Sequence, residues 1–377
     1  MLAADTDVLI FVEDPGAANL IVDLPSALSA EGHRGRVLAT GDAAPYLRSA
    51  GAEFDELELG RKVAEIIEAY APRLIVVGTS ENPETSGLKL VAQARQQGIA
   101  SVGLVDGPAN TERRFRGPAN NPLAYAPDWI VVPNEATYSR YEAHGHPGNR
   151  IVVCGHPYFD RIRDTAHRLR GRPRAKVRDS ILPGAPADRS VWVFVAELSD
   201  GLDPKQFRRH GGYTLVGRGN SDKRTDVVLE EVLDAVGRIA PRPYFVLRLH
   251  PKNGLREFTA YKNEIDYVSS GGLPEKLMHA ADLVIGLTSI LLTEAVIMGR
   301  PALSVVPDPT EREWLIDDSL FPVVYDRDRL LDALETAAVD PSLLMGTPVE
   351  DVIMFGATER LTVFLAKLLR DTTAGEA

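Results

Sequence analysis

The feature that most constrains the fold is a repeated alternation of short apolar runs with amphipathic helical patterns. The runs are about six residues long, rich in β-branched residues, and lack the polar alternation of a half-exposed sheet. Alternating strands and helices predict an α/β fold with parallel sheets and right-handed crossovers. The predicted strands cover residues 7–14, 35–40, 73–79, 100–106, 128–134, 150–155, 190–197, 244–251, 282–288 and 301–308.

Helical patterns lie between or after most of these strands. Two of them are followed by Gly98 and Gly145, which favour a helix end at those positions. The predicted helices cover residues 17–30, 62–71, 87–97, 135–144, 226–239, 273–280, 290–298, 328–338 and 358–369.

The chain length and a change in composition predict two domains. A chain of 377 residues is long enough for two domains that each bury a core. We expect a first domain over 1–162, a polar, basic linker over 163–189, and a second domain over 190–352. A final helix within 353–377 is expected to pack back toward the first domain.

Composition excludes several classes of protein. The net charge of −11 argues against nucleic-acid binding, because neutralisation of phosphates dominates that affinity. A single cysteine, Cys154, excludes an intrachain disulfide and any multi-cysteine metal site. No apolar run approaches ~20 residues and no basic region precedes the first run, so a cytoplasmic location is expected. The basic stretch at 160–178 reads as a solvated helix and linker, with an anion-facing surface as the alternative.

The most informative segment is 281–308, in which a strand, a turn, a helix and a second strand follow one another. Ser289 can cap the helix that begins at Ile290, and the positive end of a helix suits a phosphate. Glu294, one turn into the helix, can accept hydrogen bonds from ribose hydroxyls, and Gly299 closes the helix. The alternative is a plain strand–helix–strand unit with no ligand.

Three motifs in this half carry a resemblance to a known superfamily. The Ser/Thr-rich turn, the glutamate in the next helix and the Gly-Arg-Pro at 299–301 resemble the donor half of GT-B glycosyltransferases. The same pattern is similar to non-hydrolysing UDP-N-acetylglucosamine 2-epimerases and CDP-glycerol glycerophosphotransferase-like enzymes. RLHPKN at 248–253 resembles their R/K-x-H-P motif, and GHPYFDR at 155–161 resembles the segment that opens their interdomain linker.

The resemblance implies a GT-B fold, with two Rossmann-like domains whose parallel sheets face a central cleft. It implies a nucleotide-activated donor on the second domain and no bound metal or cofactor, because a helix dipole and basic side chains stabilise the leaving diphosphate. The resemblance implies these roles: Thr288 and Ser289 at the diphosphate, Glu294 at the ribose, His250 near the phosphates or the transferred group, and Arg248 or Lys252 as neutralising charges. The alternative for His250 is a buried histidine at a strand end, and the alternative for Arg248 is a structural ion pair.

The first half supplies candidates for the acceptor side. Gly16 lies in a turn after the first strand, and Asn19 can orient a hydroxyl or phosphate. Asp14 is a candidate base, as is the preceding Glu13, although Asp14 can instead cap the first helix. Asp106 ends another strand and is the stronger base candidate.

Two neighbouring arginines, Arg113 and Arg114, can clamp an anionic acceptor or the donor phosphates, with exposed loop arginines as the alternative. The long connection at 198–225 is either a lid over the donor or an inserted surface loop.

The leading hypothesis is a metal-independent transferase that moves a sugar, or a polyol phosphate, from a nucleotide-activated donor to a hydroxyl of an unknown acceptor. A nucleotide-sugar 2-epimerase or hydrolase is the alternative, since the segment at 307–314 resembles the T-E-R segment of the epimerases. The turn GLTSILLTE lacks the aspartate and paired glycines of their D-S-G-G-x-x-E-E pattern, which argues against a true epimerase. That departure also favours a third hypothesis, a non-catalytic nucleotide-binding protein. The sequence is compatible with a peripheral membrane contact and with a homodimer.

Overall fold

The computed structural model describes residues 6–57, 60–80, 82–198 and 204–374. The chain divides into two compact units, the first formed by Met1–Asp160 and Met354–Ala377 and the second by Arg161–Ile353. Within the described ranges, every helix is too short or too polar to cross a bilayer.

The first unit is built on a sheet in which seven described strands are all parallel. Their order is β3-β2-β1-β4-β5-β6-β7. The strands are β1 (Val8–Val12), β2 (Gly35–Ala39), β3 (Asp55–Glu56), β4 (Leu74–Gly78), β5 (Ala100–Leu104), β6 (Trp129–Val132) and β7 (Ile151–Val153).

Both faces of this sheet are covered by apolar side chains. In β1, Val8, Ile10 and Val12 pack into one cluster, whereas Leu9 and Phe11 pack into another on the opposite face. Strands buried on both faces need apolar residues at every position, which is why the sequence shows continuous runs and no alternation.

The predicted helices of the first unit are present, but the first of them is divided, and Ala43–Ala50 and Thr111–Arg114 form two helices that were not predicted. Residues 17–30 form two helices, because Pro25 has no N–H to donate to the carbonyl four residues earlier. Gly98 ends α5 in the left-handed conformation with φ 70°, as predicted. The helices are α1 (Pro15–Ile21), α2 (Leu24–Ala30), α3 (Ala43–Ala50), α4 (Val63–Tyr70), α5 (Ser86–Gln97), α6 (Thr111–Arg114) and α7 (Glu135–Ala143).

The second unit also contains a parallel sheet, with six strands among the described residues. Their order is β10-β9-β8-β11-β12-β13. The strands are β8 (Val191–Val195), β9 (Tyr244–Arg248), β10 (Tyr267–Ser269), β11 (Leu283–Gly286), β12 (Ala302–Val305) and β13 (Val323–Val324). The prediction of an α/β fold with two parallel sheets is confirmed.

The stretch expected to be a linker, 163–189, is largely helical and groups with the second unit. It contains most of α8 and all of α9, and the boundary between the units falls inside α8. The helices from this point on are α8 (Pro157–Arg170), α9 (Arg174–Ile181), α10 (Arg224–Val236), α11 (Glu275–Ala280), α12 (Ile290–Ile297), α13 (Arg327–Val339), α14 (Val349–Val352) and α15 (Ala357–Ala374).

The final helix, α15, belongs to the first unit. Leu361, Leu365 and Leu369 of α15 are buried in the same cluster as Leu24 and Leu28 of α2. Asp160 accepts hydrogen bonds from the N–H groups of Gly356 and Thr358, at 2.7 and 2.9 Å. One carboxylate therefore caps the start of this helix.

Candidate functional site

The second sheet changes direction between β8 and β11. From β8 the chain adds β9 and β10 on one side, and then β11, β12 and β13 on the other. In open parallel sheets the crevice at such a point, beyond the carboxyl ends of the two strands, is the usual place for a ligand. Here the residues beyond those ends are Glu197 after β8 and Thr288 and Ser289 after β11.

The turn after β11 is fixed by two polar contacts. Ser289 is the residue that caps α12, and its hydroxyl accepts the N–H of Leu291 at 3.3 Å, which confirms the predicted cap. The Thr288 N–H and hydroxyl both donate to the Glu197 carboxylate, at 2.6 and 3.0 Å. The N–H and hydroxyl of Thr288, which were predicted to contact a diphosphate, are therefore already hydrogen-bonded to Glu197. Ser289 is half-buried at the start of the helix.

A buried arginine, Arg224 at the start of α10, holds this arrangement together. Its guanidinium donates to Glu311 at 2.6 and 2.9 Å, to Glu197 at 2.7 Å and to the Thr288 hydroxyl at 3.2 Å. Its side chain is 2% exposed and it lies against the ring of Trp314. Because Glu311 is 3% exposed, burial raises the pKa of its carboxyl group, against the lowering by Arg224.

Two further polar groups lie next to this cluster. The Tyr213 hydroxyl is buried and has no hydrogen-bond partner among the described residues; burial, with the nearby Glu311, raises its pKa. The His210 ring contacts the Tyr213 ring, and its Nε2 lies 3.8 Å from an oxygen of Asp308. A hydroxyl in this state is available as a donor to a bound ligand.

His250 lies just beyond the end of β9, the strand next to β8. Its Nδ1 accepts the backbone N–H of Lys252 at 3.2 Å, so the neutral ring carries its proton on Nε2. The ring is half-buried, and the side chain of Lys252 is exposed. His250 can thus present an N–H donor at the carboxyl edge of the sheet.

Two predicted ligand contacts in this unit are not supported by the geometry. Arg248 is buried and donates to the carbonyls of Gly271 and Gly272, both at 2.7 Å, so it holds a turn with positive φ. Glu294 has 0% exposure, so its carboxylate does not reach the surface where a ribose would bind. A contact of either residue with a nucleotide stays a prediction.

The connection at 198–225 is well anchored where it is described; residues 199–203 lie outside the described ranges. Thr214 donates its N–H to the Pro307 carbonyl at 2.7 Å, and Gly217 donates to Glu231 at 2.9 Å. Leu215 is buried in the core of the second unit. These contacts favour the inserted surface segment over the lid for residues 206–223.

The first sheet changes direction between β1 and β4, and Asp14 follows β1 at that point. Asp14 precedes α1 in an extended conformation, with no side-chain cap of the helix, so the capping alternative is wrong. The side-chain amide of Asn82 donates to the carboxylate of Glu13, the residue before Asp14, at 2.8 Å. The Oδ1 atom of Asn19 is buried and has no hydrogen-bond partner in the described part of the chain.

Asp106, just beyond β5, is held from three sides. Arg114 pairs with its Oδ1 at 3.0 Å and donates to the hydroxyl of Thr79 at 3.3 Å. A Cβ atom on Gly16 would lie 2.1 Å from the Asp106 Oδ2, so only glycine leaves room for this carboxylate. The Asp106 carbonyl lies 3.1 Å from Nε2 of His156. Gly16 and Asp106, predicted separately, are therefore in contact, whereas Arg113 pairs with Glu112 at 3.2 Å.

His156 was not among the predicted site residues, although it lies in the quoted GHPYFDR segment. It is 2% exposed, and burial lowers its pKa to about 4, so the ring is neutral at pH 7. A carbonyl can only accept, so Nε2 carries the proton and donates to Asp106. The motif therefore connects the end of β7 to the loop that carries Asp106.

No cluster of three or more histidine, cysteine, aspartate or glutamate residues suited to a metal ion occurs within the described ranges. Metal-free chemistry stays a prediction.

No protein-family model and no curated protein matches the sequence. Solved structures do match over the whole chain. The UDP-GlcNAc 2-epimerase of Neisseria meningitidis, bound to UDP-GlcNAc, is 12% identical with a TM-score of 0.68, over 96% of this chain and 100% of that one. The chain has the GT-B fold.

Two further solved structures also match this chain. A variant of the wall teichoic acid polymerase TagF is 13% identical with a TM-score of 0.56, over 97% of this chain and 89% of that one. Anabaena HepE in complex with UDP is 13% identical with a TM-score of 0.56, over 98% and 100%. At such identities the likeness establishes the GT-B fold, and the activity has to be argued from the residues.

Proposed function

We propose that this GT-B chain is an enzyme that acts on a nucleotide-activated sugar, with the diphosphate at the carboxyl ends of β8 and β11. The observation that carries the proposal is the position of the Ser289 turn. It opens α12 at the point where the second sheet changes direction, and His250 lies just beyond the end of β9, on the other side of β8.

These groups can stabilise a diphosphate without a metal. The amino end of α12 carries a partial positive charge, and the Ser289 hydroxyl lies there. The hydroxyl of Tyr213, which has no hydrogen-bond partner among the described residues, adds a neutral donor, and the His250 ring lies beyond the end of β9. Donors that are fixed before the ligand arrives stabilise the charge that develops on a leaving diphosphate.

Glu197 brings a negative charge to this place, and Arg224 offsets it. The Glu197 carboxylate accepts from Thr288 twice and from Arg224 once, so its charge is partly offset by a guanidinium that it shares with Glu311. We assign Glu197 and Arg224 the role of fixing the turn, which leaves the phosphate contacts to Ser289 and His250.

We further propose that the reaction is a transfer and that Asp106 is the general base. An acceptor hydroxyl would attack the activated carbon of the donor, the bond to the diphosphate would break, and the Asp106 carboxylate would take the hydroxyl proton. Arg114, Gly16 and His156 hold Asp106 in one position, as a base of this kind requires.

A nucleotide-sugar epimerase or hydrolase is the second candidate. It is favoured by the T-E-R segment, whose Glu311 is tied to Arg224 in the buried cluster. Several matched structures are also of UDP-GlcNAc 2-epimerases, with TM-scores from 0.61 to 0.68. The feature against it is the absence of the aspartate and the glycine pair at 288–291.

The experiment is to incubate the protein with UDP-, GDP-, CDP- and TDP-sugars, with and without a panel of acceptor alcohols, and to analyse the products. Asp106→Asn is compared with Asp188→Asn, which changes the net charge equally at an exposed position. A transferase consumes donor only when acceptor is present. Asp106→Asn should lose about a hundredfold or more of that rate and still bind the donor, while Asp188→Asn should behave as the unaltered protein.

Each other outcome overturns a defined part of the proposal. Turnover without acceptor, with an epimerised or hydrolysed product, replaces the transferase by the second candidate. Binding with no turnover under any condition identifies a non-catalytic nucleotide-binding protein. Neither binding nor turnover across the panel removes the nucleotide-sugar assignment altogether.

A further inference from the structure

A second set of basic groups lies at the opposite, amino-terminal edge of the second sheet. Arg300 comes two residues before β12, and Asp282 comes just before β11. The two strands pair with Val284 opposite Ala302, and Val284 donates its N–H to the carbonyl of Pro301. This register brings Asp282 and Arg300 to neighbouring positions at the edge.

Two arginines of α9 already share the one carboxylate at this place. Arg178 donates to an oxygen of Asp282 at 2.8 Å and to the Ala280 carbonyl at 2.8 Å. Arg174 bonds to the other oxygen of Asp282 and donates to the Ala281 carbonyl at 2.6 Å. Asp282 also accepts the N–H of Val191 at 2.7 Å, so both of its oxygens are in use.

Arg300 adds a third guanidinium without a carboxylate of its own. It is half-buried, its Nε is buried, and no side-chain hydrogen bond or ion pair to another described residue offsets its charge. Burial, together with the charge of Arg174, lowers its pKa. Three guanidinium charges against the single carboxylate of Asp282 leave a local net charge of +2, in a chain whose total is −11.

A buried imidazole next to these arginines lacks partners as well. His279 of α11 is 6% exposed, and neither ring nitrogen has a hydrogen-bond partner among the described residues. The helix that carries His279 packs against α9, which carries Arg174, and against α12, which ends just before Arg300. Burial and the charges of Arg300 and Arg174 lower the pKa of His279. Buried polar atoms without partners are rare in folded proteins, and several of them together require an explanation.

We propose that Arg300, Arg174 and His279 form a binding site for a small phosphate or phosphate monoester at the amino edge of the second sheet. Guanidinium groups match the oxygens of a phosphate in geometry and charge, and an imidazole N–H adds a neutral donor. A dianion would offset the local charge of +2 and give the unpartnered N–H groups of the arginines and the imidazole an acceptor. Arg174 and Arg178 are only 32% and 15% exposed, which favours a small ligand over a large one.

This site is separate from the proposed nucleotide site, which lies at the carboxyl edge of the same sheet, and it does not rest on the proposed function. It also gives a role to part of the basic stretch at 160–178, which the sequence favours as a solvated surface. Arg174 and Arg178 of that stretch are fixed against the start of β11.

The test measures binding of inorganic phosphate by calorimetry at constant ionic strength. Arg300→Gln is compared with the unaltered protein and with Arg238→Gln, which removes one charge from an exposed arginine in the same unit. We expect saturable binding to the unaltered protein and to Arg238→Gln, and about tenfold or more weaker binding to Arg300→Gln. Arg300→Lys keeps the positive charge but lacks the paired N–H donors of a guanidinium, so it should bind phosphate with intermediate affinity. This variant also provides a test of the site if Arg300→Gln does not fold.

Ser289→Ala separates the two sites. The phosphate binding that Arg300→Gln loses should persist in this variant, because Ser289 lies at the other edge of the sheet. If phosphate binding is lost in Ser289→Ala and kept in Arg300→Gln, the anion binds at the α12 turn and the inference is overturned while the nucleotide site gains support. The inference is also overturned if the unaltered protein does not bind phosphate, or if Arg300→Gln and Arg238→Gln lose equal affinity.

Discussion

At the scale of single residues, Gly16 and Asp106 are coupled by lack of space. An alanine at position 16 would place its Cβ 2.1 Å from the Asp106 Oδ2. The carboxylate is the mobile end of a side chain, so it would move by more than 1 Å and leave Arg114. Displacements of this size at a catalytic group cost on the order of a hundredfold in rate.

We therefore predict that Gly16→Ala lowers turnover of the nucleotide sugar about as much as Asp106→Asn does, with little change in the melting temperature. The matched control is Gly171→Ala, where the nearest atom to the new Cβ lies 3.9 Å away and φ is not in the left-handed region. Steady-state kinetics and thermal unfolding of the three variants check it. Full activity in Gly16→Ala would contradict the role given to Asp106.

Arg224 gives a prediction about stability and pH. Arg224→Met leaves Glu311 buried without its cation, and breaking a buried pair in this way costs about 3–5 kcal/mol. Without Arg224, the pKa of Glu311 in the folded state rises further above its ordinary value of 4.5. The folded state then holds a proton that the unfolded state has lost, so the stability of the variant falls as pH rises above about 4.5.

Urea unfolding of Arg224→Met across that pH range measures the effect, with the double variant Arg224→Met/Glu311→Gln as control. The double variant has no carboxyl group at 311, so it should recover part of the stability and lose the additional pH dependence. A single variant that is as stable as the unaltered protein at pH 7 would show that the pair contributes little.

Site residues that directly follow a strand could be predicted from the sequence, whereas their hydrogen-bond partners in distant parts of the chain could not. Ser289 and Asp106 could be predicted because position after a buried strand is a local pattern. Arg224 could not, because its partners Glu197 and Glu311 are 27 and 87 positions away and nothing local marks the pairing. The burial of Glu294 was missed for the same reason, since helical spacing alone does not show what covers the residue.

At the scale of elements, α15 depends on one carboxylate for its start. Asp160 accepts from two N–H groups at the beginning of the helix, and loss of such a cap costs about 0.5–2 kcal/mol. We predict that Asp160→Ala raises hydrogen exchange of the α15 amides by roughly two- to thirtyfold. Exchange in β8 and β11 should stay unchanged.

Asp340→Ala is the control for this variant. Asp340 accepts the Ser342 N–H at 2.9 Å and caps a short 3₁₀ helix of the second unit (Pro341–Leu344), so its loss should leave α15 protected. Equal exchange of α15 in Asp160→Ala and the unaltered protein would show that the apolar contacts of this helix suffice.

The long strands were predictable as elements, and the connections were less so. Continuous apolar runs such as Val8–Val12 occur because both faces of the sheet are covered, which leaves a clear pattern. The short edge strands Asp55–Glu56 and Val323–Val324 have no such pattern and were not predicted. The stretch at 163–189 was predicted to be a linker because it is polar and basic. The sequence does not show which of its arginines bind a distant carboxylate, and the structure shows that Arg174 and Arg178 fix α9 to Asp282.

At the scale of the whole molecule, two parallel sheets each change direction once, and each places acidic and hydroxyl side chains at that point. In the first sheet these are Glu13, Asp14 and Thr79, with Asp106 beyond the next strand; in the second they are Glu197, Thr288 and Ser289. The similarity to solved GT-B structures at 12–15% identity shows that this arrangement of elements persists when few residues are shared.

The most direct test of the central claim is a calorimetric titration of the unaltered protein, Ser289→Ala and Asp326→Ala with UDP, GDP, CDP and TDP. Asp326 caps α13 as Ser289 caps α12, so both variants should lose about 0.5–2 kcal/mol of stability. The account predicts that at least one nucleotide binds, that Ser289→Ala weakens it about tenfold, and that Asp326→Ala does not. Absence of binding to every nucleotide, or equal affinity in all three proteins, would contradict it.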